Sequence, residues 1–442
     1  MAAPSRKKRR IKAPLRSVKP VVAAVAALLL VVSVFHFVHG VYGAGRYGFV
    51  DFPIFLAQAR EFLSSGELYV DAADPENYAP AAAVYKFPPL YAMLLLPLVR
   101  DGIEEGVFWG HWTLQILLYA GAVAMLLGLY GRRAGAAFFV IALFLALNFE
   151  PFFETLWRLQ IETPLLFLLA LALLLSLARR DAWSGVAIGL GAMLKLYPAF
   201  MLLHFAIRRR WAVLGWFAVT SGLVLVSALI VIGVEECSAY FFRILPLISR
   251  EAPSATSENL SFGRYLQQWA GAGPELARRA GKAIALAMVV VSVVAVHRSG
   301  REESDREHAA ACFALFVPLM LLALPNSWVN YQLLLLLPFV VLLHHCLTVE
   351  RHAALPAVAL GVAYLPTLFY WPCEEPSLPW PCAQTPQFLG LWQLPRSLHD
   401  LMVDLRLLST LILWVALLYV VTRRPGPARG RPADDLAGGV AR

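Results

Sequence analysis

Long apolar segments that end in charged, mostly basic clusters constrain this chain more than any other feature of its sequence. About 20 apolar residues cross a bilayer as a helix, and Lys and Arg collect at the cytoplasmic ends of such helices. Six segments end in this way: 107–130, 161–178, 183–207, 281–297, 331–347 and 403–422. If the chain crosses the membrane in alternating directions, and if residues 183–207 form a pair of helices broken by a turn, all six ends lie on the same side of the membrane. This register predicts about 12 crossings with both termini in the cytoplasm.

The composition excludes two classes of protein. Hydrophobic residues make up 59% of the 442-residue chain and charged residues only 15%, whereas soluble domains carry about 25% charged residues. A cytosolic enzyme with a polar surface is therefore excluded, and so is a disordered chain. The sequence predicts an all-α polytopic membrane protein whose single transmembrane domain is formed by residues 20–422.

The N-terminal tail, residues 1–19, carries eight Lys and Arg residues and no acid, which is nearly all of the net charge of +9. Such a tail could bind nucleic acid. Beside a first apolar segment at 21–38, however, it is typical of an orientation signal that contacts anionic lipid. We therefore expect a cytoplasmic tail, no nucleic-acid partner and a retained signal anchor. Residues 423–442 are expected to form a second cytoplasmic tail.

The same register places the polar stretches on the far side of the membrane. The first external loop, 40–105, is expected to hold interfacial helices, because its apolar stretch at 88–99 is too short to span a bilayer. The other far-side stretches are 149–160, 195–198, 235–280, 325–330 and 372–402. Cys373 and Cys382 in the last of these could form a disulfide or remain two thiols. The chain has no Walker loop and no strand-associated G-x-G-x-x-G, so ATP-driven work is not expected.

Asp51 is the first candidate for catalysis. It precedes a stretch expected to form an amphipathic helix near the lipid surface, where a partly desolvated carboxylate suits a general base for a hydroxyl group. The apolar face of this helix is expected to hold Phe55, Ala59, Phe62 and Leu63. With Pro53 just inside the helix, Asp51 also fits the simpler function of an N-cap.

Two lysines could meet a phosphate. Lys195 lies inside an apolar run, where ionisable groups are costly and usually functional. It could hold a lipid-linked phosphate, or it could extend to the far-side interface. Lys86 precedes Pro88 and Pro89 and could pair with a phosphate at the membrane surface or merely extend its ammonium group into water.

The remaining candidates lie in three polar stretches. Glu150, Glu154, Arg158 and Gln160 form a patch between two spans, in which Glu154 and Arg158 are spaced to pair with each other or to bind a ligand. Asn259 lies in a segment that could bind substrate or cap the next helix. The residues Trp328, Asn330 and Tyr331 join two spans, and their aromatic side chains also fit a belt at the membrane interface.

Several of these segments, in this order, resemble glycosyltransferase family 87, whose members are membrane enzymes of the GT-C fold. This family includes mannosyltransferases and arabinofuranosyltransferases of the cell envelope. The similar stretches are 51–52 with 66–69, Tyr85 with the following 86–90, 195–198 with 208–211, 259–261 and 328–331. No single motif is specific, but the order of all five is moderately so.

The resemblance implies a GT-C-like bundle that uses a polyprenyl-monophosphate sugar, such as mannose or another hexose or pentose. The acceptor would be a lipid or glycan on the non-cytoplasmic side of the inner membrane. By position, Asp51 would be the catalytic base of an inverting transfer, and Lys195 would contact the donor phosphate, aided by Lys86 or Arg158. The remaining residues expected to bind substrate are Tyr85, Glu154, Gln160, Asn259, Trp328, Asn330 and Tyr331. We expect no cofactor and no metal, because a phosphate is already a good leaving group.

Three positions depart from the family pattern and leave the sugar and the acceptor open. Phe52 stands where a tyrosine often follows the acid. Glu162 follows Gln160 and Ile161 where the family often has a Gln-Asn pair. After Trp328 the chain has Asn330 and Tyr331 rather than a histidine.

Three other functions fit parts of the sequence. A flippase for lipid-linked sugars would explain the broken pair and Lys195, but it predicts repeated halves, and the chain shows no internal repeat. A polysaccharide ligase or polymerase would use a diphosphate-linked donor instead. A purely structural membrane subunit leaves Lys195 unexplained.

Overall fold

The computed structural model describes residues 18–47, 51–69, 85–99, 103–130, 135–254, 256, 258–300, 306–348, 353–368 and 396–423. Nearly all of these residues are helical, which confirms the all-α class. The described part contains no strand, and its isolated β-bridge joins Asn259 to Trp328 in antiparallel orientation. Most of the basic tail, most of the C-terminal tail, Cys373 and Cys382 lie outside the described residues.

The helices of the first half, in chain order, are α1 (Val18–Tyr47), α2 (Phe52–Ser65), α3 (Pro89–Leu95), α4 (Glu104–Tyr130), α5 (Gly135–Leu147), α6 (Glu150–Arg158), α7 (Glu162–Leu177), α8 (Asp181–Leu194), α9 (Met201–Ile207) and α10 (Trp211–Val231). Those of the second half are α11 (Val234–Ala239), α12 (Leu245–Arg250), α13 (Phe262–Ala270), α14 (Pro274–Arg298), α15 (Arg306–Leu322), α16 (Leu336–Thr348), α17 (Ala354–Tyr364) and α18 (Arg396–Thr422). Short 3-10 segments extend or precede four of them: Leu96–Leu98, Tyr197–Phe200, Val329–Leu335 and Leu365–Leu368.

Seven stretches of the described chain are long and apolar enough to cross a membrane. They are Val22–Gly45, Glu104–Tyr130, Gly135–Arg158, Trp211–Val231, Pro274–Arg298, Val329–Thr348 and Asp404–Thr422. Five shorter apolar helices accompany them, including the broken pair Asp181–Leu194 and Tyr197–Ile207. This inventory confirms a polytopic membrane protein. The total of about 12 crossings stays a prediction.

The bundle has a buried centre and an apolar outside. Residues 310–322 of α15 and 336–344 of α16 are all buried, so these two helices form the core. On the outside, α1 and α10 expose large apolar side chains along their length, among them Phe35 and Ile230. Exposed apolar faces on helices of spanning length are what a lipid environment requires.

Two glycines allow α8 to approach α10 closely. A Cβ placed on Gly185 would lie 2.4 Å from the backbone oxygen of Val213, and one on Gly189 would lie 3.0 Å from Cβ of Thr220. Small residues four positions apart are typical of closely packed membrane helices. This contact fixes α8, whose C-terminal end carries Lys195 into the candidate site.

The structure differs from the sequence prediction in three places. The first helix continues to Tyr47, well past the predicted end of the span near Val38. The predicted connection at 149–160 is mostly the short buried helix α6, because its aromatic side chains pack against α1. In α2, Phe55 and Ala59 are buried but Leu63 is 57% exposed, so the protein covers only part of the predicted apolar face.

Candidate active site

The turn between α6 and α7 organises the candidate site. Leu159 adopts a left-handed conformation with φ of 49°, which few residues other than glycine adopt and which often marks functional sites. The backbone N–H of Gln160 closes the turn on the carbonyl oxygen of Thr155 at 3.1 Å. As a result, Arg158, Gln160 and Glu162 lie within one short segment, and each makes polar contacts with one or more predicted site residues.

Asp51 is held by the side chain of Gln160. The Nε2 of Gln160 donates a hydrogen bond of 2.6 Å to Oδ2 of Asp51. Asp51 occupies the N-cap position of α2, but its side chain makes no capping hydrogen bond. Its side chain is 21% exposed, and no residue of the described ranges donates a hydrogen bond to Oδ1. The carboxylate therefore has one fixed oxygen and one oxygen open to a substrate.

Arg158 lies among three carboxylates. Its Nε donates to Glu154 at 2.8 Å, which confirms the predicted pair, and its second amino group donates to Glu258 at 2.7 Å. The remaining amino group lies 3.9 Å from Oδ2 of Asp51. Burial raises the pKa of the Glu258 carboxyl, and the Arg158 guanidinium opposes that rise. Three acids around one cation leave this half of the site negatively charged.

Lys195 forms the other half of the site. Its Nζ donates a hydrogen bond of 2.5 Å to Oε1 of Glu162, whose side chain is fully buried. The ammonium nitrogen also lies 4.0 Å from the ring centroid of Tyr331 and 5.0 Å from that of Phe87. A lysine ammonium has three N–H donors, so the bond to Glu162 leaves donors for an anion.

Tyr91 joins the two halves. It lies close enough to Glu162 and Asp51 to interact electrostatically with both. Its hydroxyl is buried and makes no hydrogen bond with any described residue. In addition, Gln160 and Glu162 are two residues apart, a backbone span of at most about 7 Å. Asp51, Tyr91 and Lys195 therefore lie in one region of the fold.

Lys86 is paired with an acid that the sequence analysis did not identify. Its Nζ lies 3.4 Å from Oε1 of Glu251, and Oε2 of Glu251 accepts a hydrogen bond of 2.7 Å from Asn326. Burial lowers the pKa of Lys86, and Glu251 opposes that change. Lys86 is thus a partly desolvated cation held in place by a buried carboxylate.

Asn259 is a structural residue in this fold. Its Nδ2 donates to the carbonyl oxygen of Ser254 at 3.0 Å and to Oδ1 of Asn326 at 2.8 Å. Its Oδ1 accepts from the backbone N–H groups of Ser261 and Ser327 at 3.2 and 3.0 Å. These four bonds use the whole hydrogen-bonding capacity of the amide. Asn259 therefore holds together the loop that carries Glu258, and its predicted contact with substrate stays a prediction.

Three further predicted residues lie in the packing around the site. Tyr85 is buried and donates its hydroxyl to the carbonyl oxygen of Pro88 at 3.2 Å. Asn330 is buried, and its backbone oxygen accepts from the hydroxyl of Thr155 at 3.3 Å. Trp328 pairs through its backbone with Asn259. A role for these three in substrate binding stays a prediction.

Four functional candidates were missed by the sequence analysis: Tyr91, Glu162, Glu251 and Glu258. Glu162 gave a usable signal, because an acid at the start of an apolar helix is costly unless it has a partner. Tyr91 and Glu251 gave none, since their places depend on contacts between distant segments. Within the described ranges no group of three His, Cys, Asp or Glu residues could hold a metal ion. That the reaction needs no metal stays a prediction.

Comparisons with known proteins identify the family. The family model for glycosyltransferase family 87 matches residues 85–325. A relative from Mycolicibacterium smegmatis is 27% identical over 75% of this chain and 80% of its own length. A second, from Mycobacterium tuberculosis, is 30% identical over 69% of each chain. Both are named polyprenol-phosphate-mannose-dependent alpha-(1-2)-phosphatidylinositol pentamannoside mannosyltransferases. No solved structure matches the chain at a significant level. The chain belongs to glycosyltransferase family 87 and is a membrane glycosyltransferase.

Proposed function

We propose that this protein transfers mannose from a polyprenyl-monophosphate donor to a hydroxyl group of a lipid-anchored glycan. The names of the two relatives support this donor and this acceptor class. The observation that carries the proposal is the pairing of Asp51 with Gln160 and of Lys195 with Glu162, from one turn of the chain. This arrangement offers a base and a phosphate-binding cation on either side of one space.

Asp51 is the proposed general base. Its open Oδ1 accepts the proton of the acceptor hydroxyl while that oxygen attacks the anomeric carbon of the sugar. The bond between the anomeric carbon and the phosphate oxygen breaks, and the electron pair leaves with the polyprenyl phosphate. Attack opposite to the leaving group inverts the configuration of the sugar. The proton taken up by Asp51 is released to water when the product leaves.

Cations on the other side of the site stabilise the leaving phosphate. Lys195 retains N–H donors beyond its bond to Glu162. Lys86 lies just before the short helix α3. Tyr91 can donate its buried hydroxyl to a phosphate or sugar oxygen. Donors that are already oriented and partly desolvated stabilise developing charge more strongly than mobile ones in water.

The site is proposed to open on the non-cytoplasmic side of the inner membrane. Glu162 and Lys195 lie at one end of α7 and α8, whereas Arg179, Arg208 and Arg210 lie at the other end of the same helices or just beyond it. Basic residues collect at the cytoplasmic ends of membrane helices. This distribution supports an active site that faces away from the cytoplasm.

A donor panel tests the proposal. Purified protein in nanodiscs receives polyprenyl-monophosphate mannose, glucose, arabinofuranose or galactose, together with a membrane-lipid extract as acceptor. We expect a mannosylated lipid by mass spectrometry, and a loss of about 100- to 10,000-fold in rate for Asp51→Asn. Glu61→Gln, an exposed acid on the same helix, is the control and should retain full rate. The absence of a product from the mannose donor, or full activity of Asp51→Asn, would refute the proposal.

A further inference from the structure

A second polar region lies at the opposite end of the bundle from Asp51 and Lys195. Helix α7 begins at Glu162 in the candidate site and ends at Leu177, which is about 24 Å away for 16 residues. Helix α8 runs back from Asp181 to Lys195. The turns at the far ends of these helices enclose a cavity that the proposed reaction does not use.

Arginines dominate the wall of this cavity, which has a volume of about 150 Å³ and is partly open to solvent. The polar lining residues are Ser176, Arg179, His204, Arg208, Arg210 and Arg306. Two acids lie near them in the described chain, Asp181 and Glu307. Among the described residues at this end of the bundle, the four lining arginines outnumber these two acids.

Two of the arginines are held in place by the protein. The Nε of Arg210 donates to Asp181 at 2.9 Å, and a second nitrogen donates to the hydroxyl of Ser176 at 3.1 Å. Arg208 donates to the carbonyl oxygen of Gly300 at 2.6 Å and to Sγ of Cys312 at 3.0 Å. Guanidinium groups fixed in this way are arranged before a ligand arrives, which reduces the entropy lost on binding.

The arginines of this cavity lie close enough to interact with one another. Burial, and secondarily the neighbouring guanidinium of Arg179, lower the pKa of Arg210 to about 10. Arg210 is paired with Asp181, so the protein itself compensates one of the four charges, and an anion in the cavity would interact favourably with the others.

His204 gives an independent indication of a ligand. The residue is 5% exposed and lines the cavity. Its Nδ1 is buried and makes no hydrogen bond with any residue of the described ranges. The rings of Phe205, Phe313 and Phe316 surround the imidazole and can offer no hydrogen bond of comparable strength. Buried polar atoms are nearly always paired, so this nitrogen calls for a partner that the described residues do not supply.

Two tryptophans place the cavity at the level of lipid headgroups. Trp183 follows Asp181 at the start of α8 and is 62% exposed, and Trp211 follows Arg210 at the start of α10 and is 64% exposed. Exposed tryptophans at helix ends are characteristic of the membrane–water interface. Basic pockets between membrane helices at this level suit phosphate-bearing headgroups.

We propose that this arginine-lined cavity binds a phosphate group, supplied by the headgroup of an anionic phospholipid on the side of the membrane opposite the active site. The phosphate oxygens accept hydrogen bonds from the arginines, and a polar atom of the bound headgroup partners His204. The acyl chains lie along the exposed apolar face of α10. The site is separate from catalysis, because the length of α7 lies between the two.

Lipid binding to the purified full-length protein tests this proposal. Native mass spectrometry compares binding of short-chain phosphatidylglycerol and phosphatidylcholine, and calorimetry measures inorganic phosphate. In Arg179→Gln/Arg306→Gln we expect phosphatidylglycerol to bind about 30-fold more weakly. The matched control Arg250→Gln/Arg279→Gln removes two exposed arginines elsewhere and should stay within twofold of the wild type. His204→Phe keeps the ring packing and the charge, and it should also weaken binding.

The outcomes distinguish a lipid headgroup from free phosphate as the source of the bound group, and they can also rule out the site. Selective loss of phosphatidylglycerol in the cavity variants, with little binding of inorganic phosphate, supports the lipid headgroup. Tight binding of inorganic phosphate that is lost in the same variants supports a phosphate site filled from solution. Equal binding of the two lipids with no bound phosphate, or equal losses in the cavity and control variants, would overturn the proposal.

Discussion

The side-chain amide of Gln160 donates a 2.6 Å hydrogen bond to Oδ2 of Asp51, although the two residues are 109 positions apart. This bond sets the orientation of the proposed base and leaves its other oxygen to the acceptor. The left-handed turn at Leu159 brings Gln160 to this position. The proposed base therefore depends for its orientation on a segment that itself carries Arg158 and Glu162.

Replacement of Gln160 is expected to slow the transfer without weakening the binding of the donor. In Gln160→Ala the carboxylate of Asp51 loses its fixed orientation, and misplacement of a reacting group by about 1 Å costs up to about 100-fold in rate. We expect kcat to fall and the KM for the donor to stay within twofold. Steady-state kinetics with a saturating acceptor measure both. A raised KM with an unchanged kcat would show that Gln160 binds the donor instead.

The sequence could identify Asp51 because its environment is largely local. An acid just after a membrane helix and just before an amphipathic helix can be recognised from neighbours in the chain. The bond from Gln160 cannot be recognised in this way, since it depends on how α2 packs beside the turn after α6. The alternative capping role of Asp51 was equally local, and only the observed side-chain contacts decide against it.

Variants of Lys195 and Glu162 are expected to affect stability and catalysis differently. Lys195→Gln leaves the buried Glu162 carboxylate without its cation, and breaking a buried pair in this way costs about 3 kcal/mol. Glu162→Gln/Lys195→Gln removes both charges and should regain most of that stability. The double variant should still lack activity, because the donor phosphate has lost its cation.

Thermal unfolding in detergent and donor turnover measure the two effects on the same samples. Glu162→Gln alone provides the control, because it keeps the cation and should retain measurable binding of the donor. If the double variant were both stable and fully active, Lys195 would have only a structural role. If its stability stayed as low as that of Lys195→Gln, the two charges would not act as a pair.

Deprotonation of Lys86 is expected to weaken donor binding at alkaline pH. Burial lowers its pKa below the ordinary value of 10.5. Because a lysine is charged below its pKa, Lys86 loses its positive charge at a lower pH than an exposed lysine. The KM for the donor should therefore rise as the pH increases toward 10. In Lys86→Arg the charge persists, since arginine stays protonated, and the rise should disappear.

Kinetics between pH 7 and 10 measure this limit, with Lys282→Arg as the control. Lys282 donates to the carbonyl oxygen of Ser249 at 2.8 Å and lies outside the candidate site. The same replacement there should leave the pH profile of the wild type. An alkaline rise that persists in Lys86→Arg would assign the titration to another group and remove Lys86 from the phosphate-binding cations.

The hydrogen-bond partners of the candidate residues are harder to predict from the sequence than the candidates themselves. Lys195 could be recognised because a charge inside an apolar run needs an explanation, but its acid, Glu162, was noted only as a departure from the family pattern. Asn259 lies in a conspicuous polar segment, which suggests a substrate contact. The structure adds four hydrogen bonds by which its side chain joins two loops. Such contacts follow from tertiary packing and leave no periodic signal.

Close packing of α8 on α10 gives a prediction about stability that does not depend on the proposed chemistry. In Gly185→Ala the new Cβ would lie 2.4 Å from the backbone oxygen of Val213, so the two helices must separate. Overpacking of this kind costs about 1–3 kcal/mol.

Gly222→Ala in α10 is the control, since no atom lies within 4 Å of its new Cβ and alanine favours a helix over glycine. Thermal unfolding should show a lower melting temperature for Gly185→Ala and an equal or higher one for Gly222→Ala. Equal stability of the two variants would mean that α8 and α10 are not in this contact, and the position of Lys195 beside Glu162 would lose its support from the packing of α8.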